Sequence, residues 1–294
     1  MKPQTITPEV LVQGVVGLVS LPEICIRISE MIDNPRSNAS VIGKVISQDA
    51  ALTARLLKIV NSAFYRFPAR VETVSRAITI IGNRELRDLV LAATVSGIFE
   101  RISSDLVDID EFWRHGIYTG IVSRLIAERC RVLHSERLFV AGLMHNIGQL
   151  IMAYKLPRYY RAALLMAQEE DIPMYEAEQK TLGFDHAQVG AELMRSWSFP
   201  EGHQYVARYH HQPAEASAYR LEIAIVHVAE TISRMAEYGH DDFDYITQID
   251  RSIRRMVDLS TGDLEDLLVE AREQFIEVLT LFRPRGKKAT HYAA

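Results

Sequence analysis

Phe139-Val140-Ala141-Gly142-Leu143-Met144-His145-Asn146-Ile147-Gly148-Gln149-Leu150-Ile151 is the stretch on which the reading of this chain turns. Phe139, Leu143, Ile147, Leu150 and Ile151 recur three and four residues apart, the period of an α-helix. That spacing predicts one helix over 135–154, with Ser135 as its cap. An imidazole, His145, and an amide, Asn146, interrupt the apolar run well short of a membrane span. A polar pair inside such a helix is either a hydrogen-bonded core feature or a set of ligands aimed at a bundle axis.

The flanking sequence repeats the same period. Thr7-Pro8-Glu9 is a helix start, with a capping hydroxyl followed by a proline whose missing N–H costs nothing. Further helices are predicted from 23, with Pro35 as the stop, and over 38–47, 51–60, 73–81, 84–99 and 110–130. Residues 157–182 read as a helical hairpin broken at Asp171-Ile172-Pro173. Helices over 185–197, 200–211, 220–238, 246–257 and 263–282 complete the set. No Asn-Gly or Asp-Gly turn joins alternating strands. The expected fold class is therefore all-α, a multi-helix bundle with an N-terminal helical subdomain. The organisation expected is a lead-in over 1–14, a domain over 15–213 with halves 15–100 and 108–213, closing helices over 214–282, and a disordered tail over 283–294.

With 294 residues, 48% of them hydrophobic, the chain can bury a large core. A net charge of −5 argues weakly against nucleic acid or an anionic membrane as partner. Cys25 and Cys130 are too few and too far apart for a disulfide framework and read as inert core thiols. Residues 1–8 lack the basic start and apolar run of a signal peptide. A cytoplasmic location is the expectation.

The ten histidines carry the chemistry. His115, His145, His186 and the pair His210-His211 fall on separate predicted helices, and Glu230 lies in an apolar run of another. Imidazole with carboxylate suits first-row ions such as iron, manganese or zinc, and helical bundles build metal centres from one polar residue per helix. Adjacent helical residues point about 100° apart, so His210 and His211 are not expected to serve one ion together. His134, His203, His240 and His291 read as exposed or terminal. His227 shares a helix face with Glu230 and reads as a structural hydrogen bond. Asp49, Arg55, Asn61 and Ser62 read as caps, a tight turn and a buried polar contact, with Asn61 placed to end its helix in a left-handed turn.

Several stretches together resemble the HDOD (HD-related output domain) family across 15–213. They are Ile46-Ser47-Gln48-Asp49, Leu52-Thr53-Ala54-Arg55-Leu56-Leu57, Asn61-Ser62-Ala63-Phe64-Tyr65, Ala77-Ile78 with Ile81-Gly82, Trp113 with His115, the 142–148 run, the 183–190 run, Trp197 and His210-His211. Asp49-Ala50 departs from the family's frequent Asp-Pro. The resemblance implies a fold similar to HD and HD-GYP phosphohydrolases. It puts His115, His145, His186, His210 or His211, and Glu230 at ligand-like positions, with Asn146 where those enzymes carry the aspartate of a His-Asp pair. Asparagine is neutral and cannot bridge two ions as a carboxylate does. Gln212-Pro213 stands in place of the Asp-Gly and Gly-Tyr-Pro elements of the cyclic-dinucleotide phosphodiesterases. The function implied is a bacterial signal-output module that binds a regulatory protein or a nucleotide second messenger without turnover, with a homodimer as a further option. The alternative is a metal-dependent phosphohydrolase acting on a nucleotide. The helices beyond 246 match no motif, and either close the bundle or form a dimer contact.

Overall fold

Capping residues divide the chain as the sequence suggests. Thr7 Oγ1 accepts from Val10 N at the start of α1 (Pro8–Gln13). α2 (Glu23–Asp33) leads to α3 (Ala39–Ile46), capped by Asn38, and α4 (Ala50–Val60), where Asp49 Oδ1 accepts from Leu52 N at 2.9 Å. Thr73 caps α5 (Val74–Ile81), and α6 (Asn83–Phe99) ends this half. The computed structural model describes residues 6–282 apart from 16, 18, 35, 63, 64, 66, 100–103 and 238–248. The stop assigned to Pro35, His240 and His291, the start at 246 and the tail over 283–294 lie outside the described residues.

α7 (Ile109–Arg129) is the central post, buried on nearly every side from Phe112 to Ala127. α8 (Glu136–Met144), α14 (Arg220–Glu237) and α16 (Thr261–Phe282) pack around it. α9 (Ile147–Lys155), α10 (Pro157–Glu170), α11 (Met174–Leu182), α12 (His186–Ser196) and α13 (Glu201–Tyr209) follow α8, and the short α15 (Arg251–Val257) packs on α14. The fold is all-helical, and no strand occurs among the described residues. No described helix is long and apolar enough to cross a membrane.

The 135–154 stretch is two helices, not one. α8 ends at Met144, and α9 begins at Ile147 with Asn146 (φ −96°, ψ 9°) as its N-cap residue. The break turns on the polar pair itself, and it frees Asn146 from the helical ladder. Asn61 is likewise not left-handed (φ −91°). Its side chain instead clamps Val71, with Nδ2 donating to Val71 O and Oδ1 accepting from Val71 N, both at 2.7 Å. Asp49, Arg55 and Ser62 are structural as expected, Arg55 reaching the carbonyls of Ala93 and Leu281 and Ser62 Oγ that of Ile59. The α10–α11 hairpin turns at Asp171, which adopts φ 52°.

One apolar cluster runs from Leu11 to Leu281. Trp197 ties its two parts together, donating Nε1–H to Val19 O at 2.9 Å and packing its ring against Phe99. α16 closes the bundle through Leu264, Leu267, Ala271, Val278 and Leu281. Arg124 donates to Gln274 across that contact.

Candidate metal centre

Helix ends and helix faces converge on one interior point. His115 projects from α7, His145 from the α8–α9 break, His186 from the first turn of α12, His210 and His211 from the end of α13, and Glu230 from α14. Asp185 holds the α12 start in a capping box with Gln188, which fixes where His186 enters. His145, His186 and His210 are fully buried.

The helices that carry these residues approach to backbone contact. A Cβ on Gly116, next to His115, would lie 2.7 Å from Leu143 O of α8, and one on Gly148 would lie 2.0 Å from His186 O. Only glycine fits at either place.

Three of the imidazoles have Nδ1 engaged by an oxygen and Nε2 left over. His145 Nδ1 contacts Gly142 O at 2.6 Å, His210 Nδ1 contacts Ala207 O at 2.9 Å, and His115 Nδ1 contacts Glu237 Oε1 at 3.0 Å. Carbonyl and carboxylate oxygens only accept, so Nδ1 of each ring carries a proton and Nε2 is the nitrogen aimed inward. All three Nε2 atoms are buried without a hydrogen-bond partner. Asn146 Oδ1 is buried in the same condition. This is the arrangement of metal-binding histidines, whose second nitrogen is held by a carbonyl or carboxylate.

Ligand atoms of His115, His145 and Glu230 lie within 4.8 Å of one another, and so do those of His186, His210 and His211. The two groups adjoin, because the His145 and His210 ring centroids are 4.9 Å apart. Ligand atoms of His210 and His211 nevertheless come close enough to face one ion together with His186. α13 ends at Tyr209, so both residues lie past the regular helix and their rings sit 3.9 Å apart.

Burial pushes the His145, His210 and His211 imidazoles below the ordinary range, His210 to about 4; His210 adds to the lowering of His145 and His211, and His186 to that of His210. For His186 burial works the same way, but the charge and hydrogen bond of Glu178 override it and lift the ring. Burial would raise Glu230, yet Arg234 and the surrounding histidines hold it well below the usual carboxylate range. The neutral forms of His145, His210 and His211 beside an ionised Glu230 are the protonation states that metal binding requires.

Sequence reasoning missed four supports. Glu178, fully buried on α11, accepts from both the backbone N (2.8 Å) and Nδ1 (2.6 Å) of His186. Glu237 holds His115, Arg234 holds Glu230 at 2.7 Å, and Tyr175 stacks on His211 at 4.4 Å. Glu178 looks like any helical glutamate, since its partner is eight residues away on another helix. His227 does make a structural bond, to His210 O at 2.7 Å rather than to Glu230. His203 is buried, not exposed, and stands 3.8 Å from Asp88 on another face of the bundle. His134 is exposed as expected.

The centre opens through a cavity of about 200 Å³ whose walls include Tyr175, His186, His211, His227, Glu230 and Arg234.

The described residues form an all-helical bundle that holds a buried cluster of imidazoles and a carboxylate. The chain belongs to the HDOD domain family, whose profile matches residues 18–213. A solved Shewanella amazonensis SB2B protein, named as a candidate phosphohydrolase, is 25% identical with a TM-score of 0.73, covering 92% of this chain and 97% of that one. A Marinobacter aquaeolei VT8 structure, named as a candidate signal transduction protein, is 19% identical with a TM-score of 0.68, covering 92% of this chain and 60% of that one. An uncharacterised Treponema pallidum (strain Nichols) protein is 26% identical over 235 residues, 79% of this chain and 44% of that protein. The chain thus spans less than half the length of that relative.

Proposed function

We propose that this chain is a bacterial, cytoplasmic signal-output domain that holds a first-row transition ion and recognises a regulatory protein or a nucleotide ligand without turning it over. The observation that carries the metal is the set of three buried Nε2 atoms, on His115, His145 and His210, each with its Nδ1 already satisfied. Lone pairs buried without a donor are costly unless an ion takes them. Glu230, His186 and His211 complete the donor set. Two ligands about 2.1 Å from one ion and at right angles lie about 3 Å apart. The Nε2 atoms of His186 and His211 are 2.9 Å apart, which suits such a pair. Iron or manganese, which take six ligands readily, fit this donor set as well as zinc.

Asn146 supports the reading without turnover. An amide adds no charge to the centre and cannot help keep a bound water deprotonated. The 200 Å³ mouth is also smaller than the usual span of small-molecule sites, about 300–1,000 Å³. Metal analysis of anaerobically purified protein tests the first half: stoichiometric iron, manganese or zinc, lost in His145→Ala, is expected, and an empty protein would sink it. The second half is tested with cyclic dinucleotides and generic phosphodiesters in added manganese or iron. Negligible hydrolysis is expected, whereas robust turnover abolished by His145→Ala would establish a hydrolase.

That hydrolase is the second reading, and Arg234 is the feature that favours it. Its guanidinium lines the mouth beside Glu230, where it could meet a phosphate oxygen.

A further inference from the structure

A second cavity, about 800 Å³, lies where α6, the turn before α8, α8 itself and α13 meet, and it shares no lining residue with the histidine mouth. Its floor is polar. Glu85 and Asp88, one turn apart on α6, and His203 of α13 are each about 95% buried, at 5% exposure. Glu85 Oε1, Asp88 Oδ1 and His203 Nε2 have no hydrogen-bond partner. The nearest bases stop just outside bonding reach: Arg87 Nε, itself buried without a hydrogen-bond partner, is 3.6 Å from Asp88 Oδ1, His203 Nε2 is 3.8 Å from Asp88 Oδ2, and His134 Nδ1 is 3.6 Å from Glu85 Oε2, while the Glu136 carboxyl hydrogen-bonds Glu85 from the side.

The other bases of the cavity are committed elsewhere or sit at its rim. Arg87 donates to Asp33 at 3.0 Å, Arg137 to Glu222 at 2.9 Å, and Arg84 is exposed. Of the five carboxylates that line the space, Asp33, Glu222 and Glu201 already accept from Arg87, Arg137 and Tyr219, which leaves Glu85 and Asp88 as the pair with unanswered oxygens. Buried acceptors without donors are expensive, and a cation bearing N–H groups is their complement. Leu138, Ala141 and Val206 supply apolar wall, and Leu133, 81% exposed, overhangs the rim. The volume lies in the ordinary range for small organic ligands. A metal ion fits less well, because no trio containing these residues, among those described, has ligand atoms close enough to share one.

We infer that this cavity is a binding site for a small organic cation of the amidinium or guanidinium type, its N–H fork on Glu85 and Asp88 and its apolar body against Leu138 and Val206. A planar N–H fork matches a carboxylate with two parallel hydrogen bonds, which a point-charge ammonium does not. Burial and the neighbouring Glu136 carboxylate hold a proton on Glu85 in the protein by itself, and a bound cation replaces it.

The full chain is titrated calorimetrically with benzamidine and with benzoate, an anion of the same shape. Benzamidine is expected to bind, benzoate is not, and Glu85→Gln and Asp88→Asn are each expected to weaken benzamidine by roughly tenfold or more while circular dichroism keeps its helical signal. Absence of benzamidine binding at millimolar concentration, equal binding of benzoate, or unchanged binding by both folded variants would overturn the assignment. Where a variant does not fold, the contrast between the two probes on the unaltered chain decides it alone.

Discussion

α13 serves two polar clusters that solve the same problem in opposite ways. At its C-terminal end His210 joins a set of imidazoles whose outer nitrogens are tied to carbonyls and carboxylates, and whose inner nitrogens await a Lewis acid. Two turns earlier His203 faces a cavity where the unanswered atoms are mostly carboxylate oxygens. Burial acts on both, and it always penalises charge. In the first cluster the neutral form is the base, ready for a metal. In the second the neutral form is the acid, which keeps its proton until a cation arrives.

That contrast can be attacked at four points. The largest effect is expected from His145→Ala, which removes an inward nitrogen from the centre of the histidine set. Metal affinity should fall by more than the roughly 10–100-fold that loss of a supporting partner costs, read by competition with a chelator. Benzamidine binding in the other cavity should not change.

Gly148→Ala comes next, because the new methyl would meet His186 O at 2.0 Å. Overpacking of this kind costs about 1–3 kcal/mol, and a backbone obstacle places it at the upper end. Thermal unfolding should show that loss together with reduced metal content. Stability lost with metal content intact would mean that the close approach of α9 and α12 does not position the ligands.

Glu178→Gln sharpens the comparison from the side. It keeps the shape but removes the charge that raises His186, and metal affinity should drop by roughly 10–100-fold with little change in the fold. An unchanged affinity would reduce Glu178 to a packing residue.

The smallest effect is a pH dependence. Glu85 is raised from 4.5 to about 9, first by burial and then by Glu136. Between those values the folded chain holds a proton that the unfolded chain has released, so its contribution to stability is full below about 4.5 and is lost as pH rises through about 9. In chelated protein the depressed His210 runs the other way: its contribution is present above 6.5 and is lost as pH falls through about 4. Chemical denaturation from pH 5 to 9 should therefore show a decline that Glu85→Gln flattens, with a gain on the order of 1 kcal/mol at pH 8. A variant curve parallel to that of the unaltered chain would remove Glu85 as its cause.

The helical class was legible because the apolar period persists from Thr7 to Phe282, and caps such as Asp49, Thr73 and Asp185 act where side-chain chemistry says they should. His115, His145, His186, His210, His211 and Glu230 could be picked out because polar residues in apolar helices are conspicuous, and the structure brings all six together. What escaped was relational. Glu178 and Glu237 matter only through which helix faces them, and His203 was set aside because nothing near it in sequence marks it as buried. The break at 145–146 was missed for a related reason. A polar pair in an apolar run predicts that something is held there, but not that the backbone must bend to hold it.

The glycine contacts have a consequence for how an ion is taken up. Where α7 meets α8 at Gly116, and α9 meets α12 at Gly148, peptide groups rather than side chains fix the distance. Peptide groups have no rotamers through which to relax. The cage is therefore formed before any cation enters, and loading it demands little ordering of the chain. On the proposal of a bound ion, stripping it out should leave the surrounding helices folded.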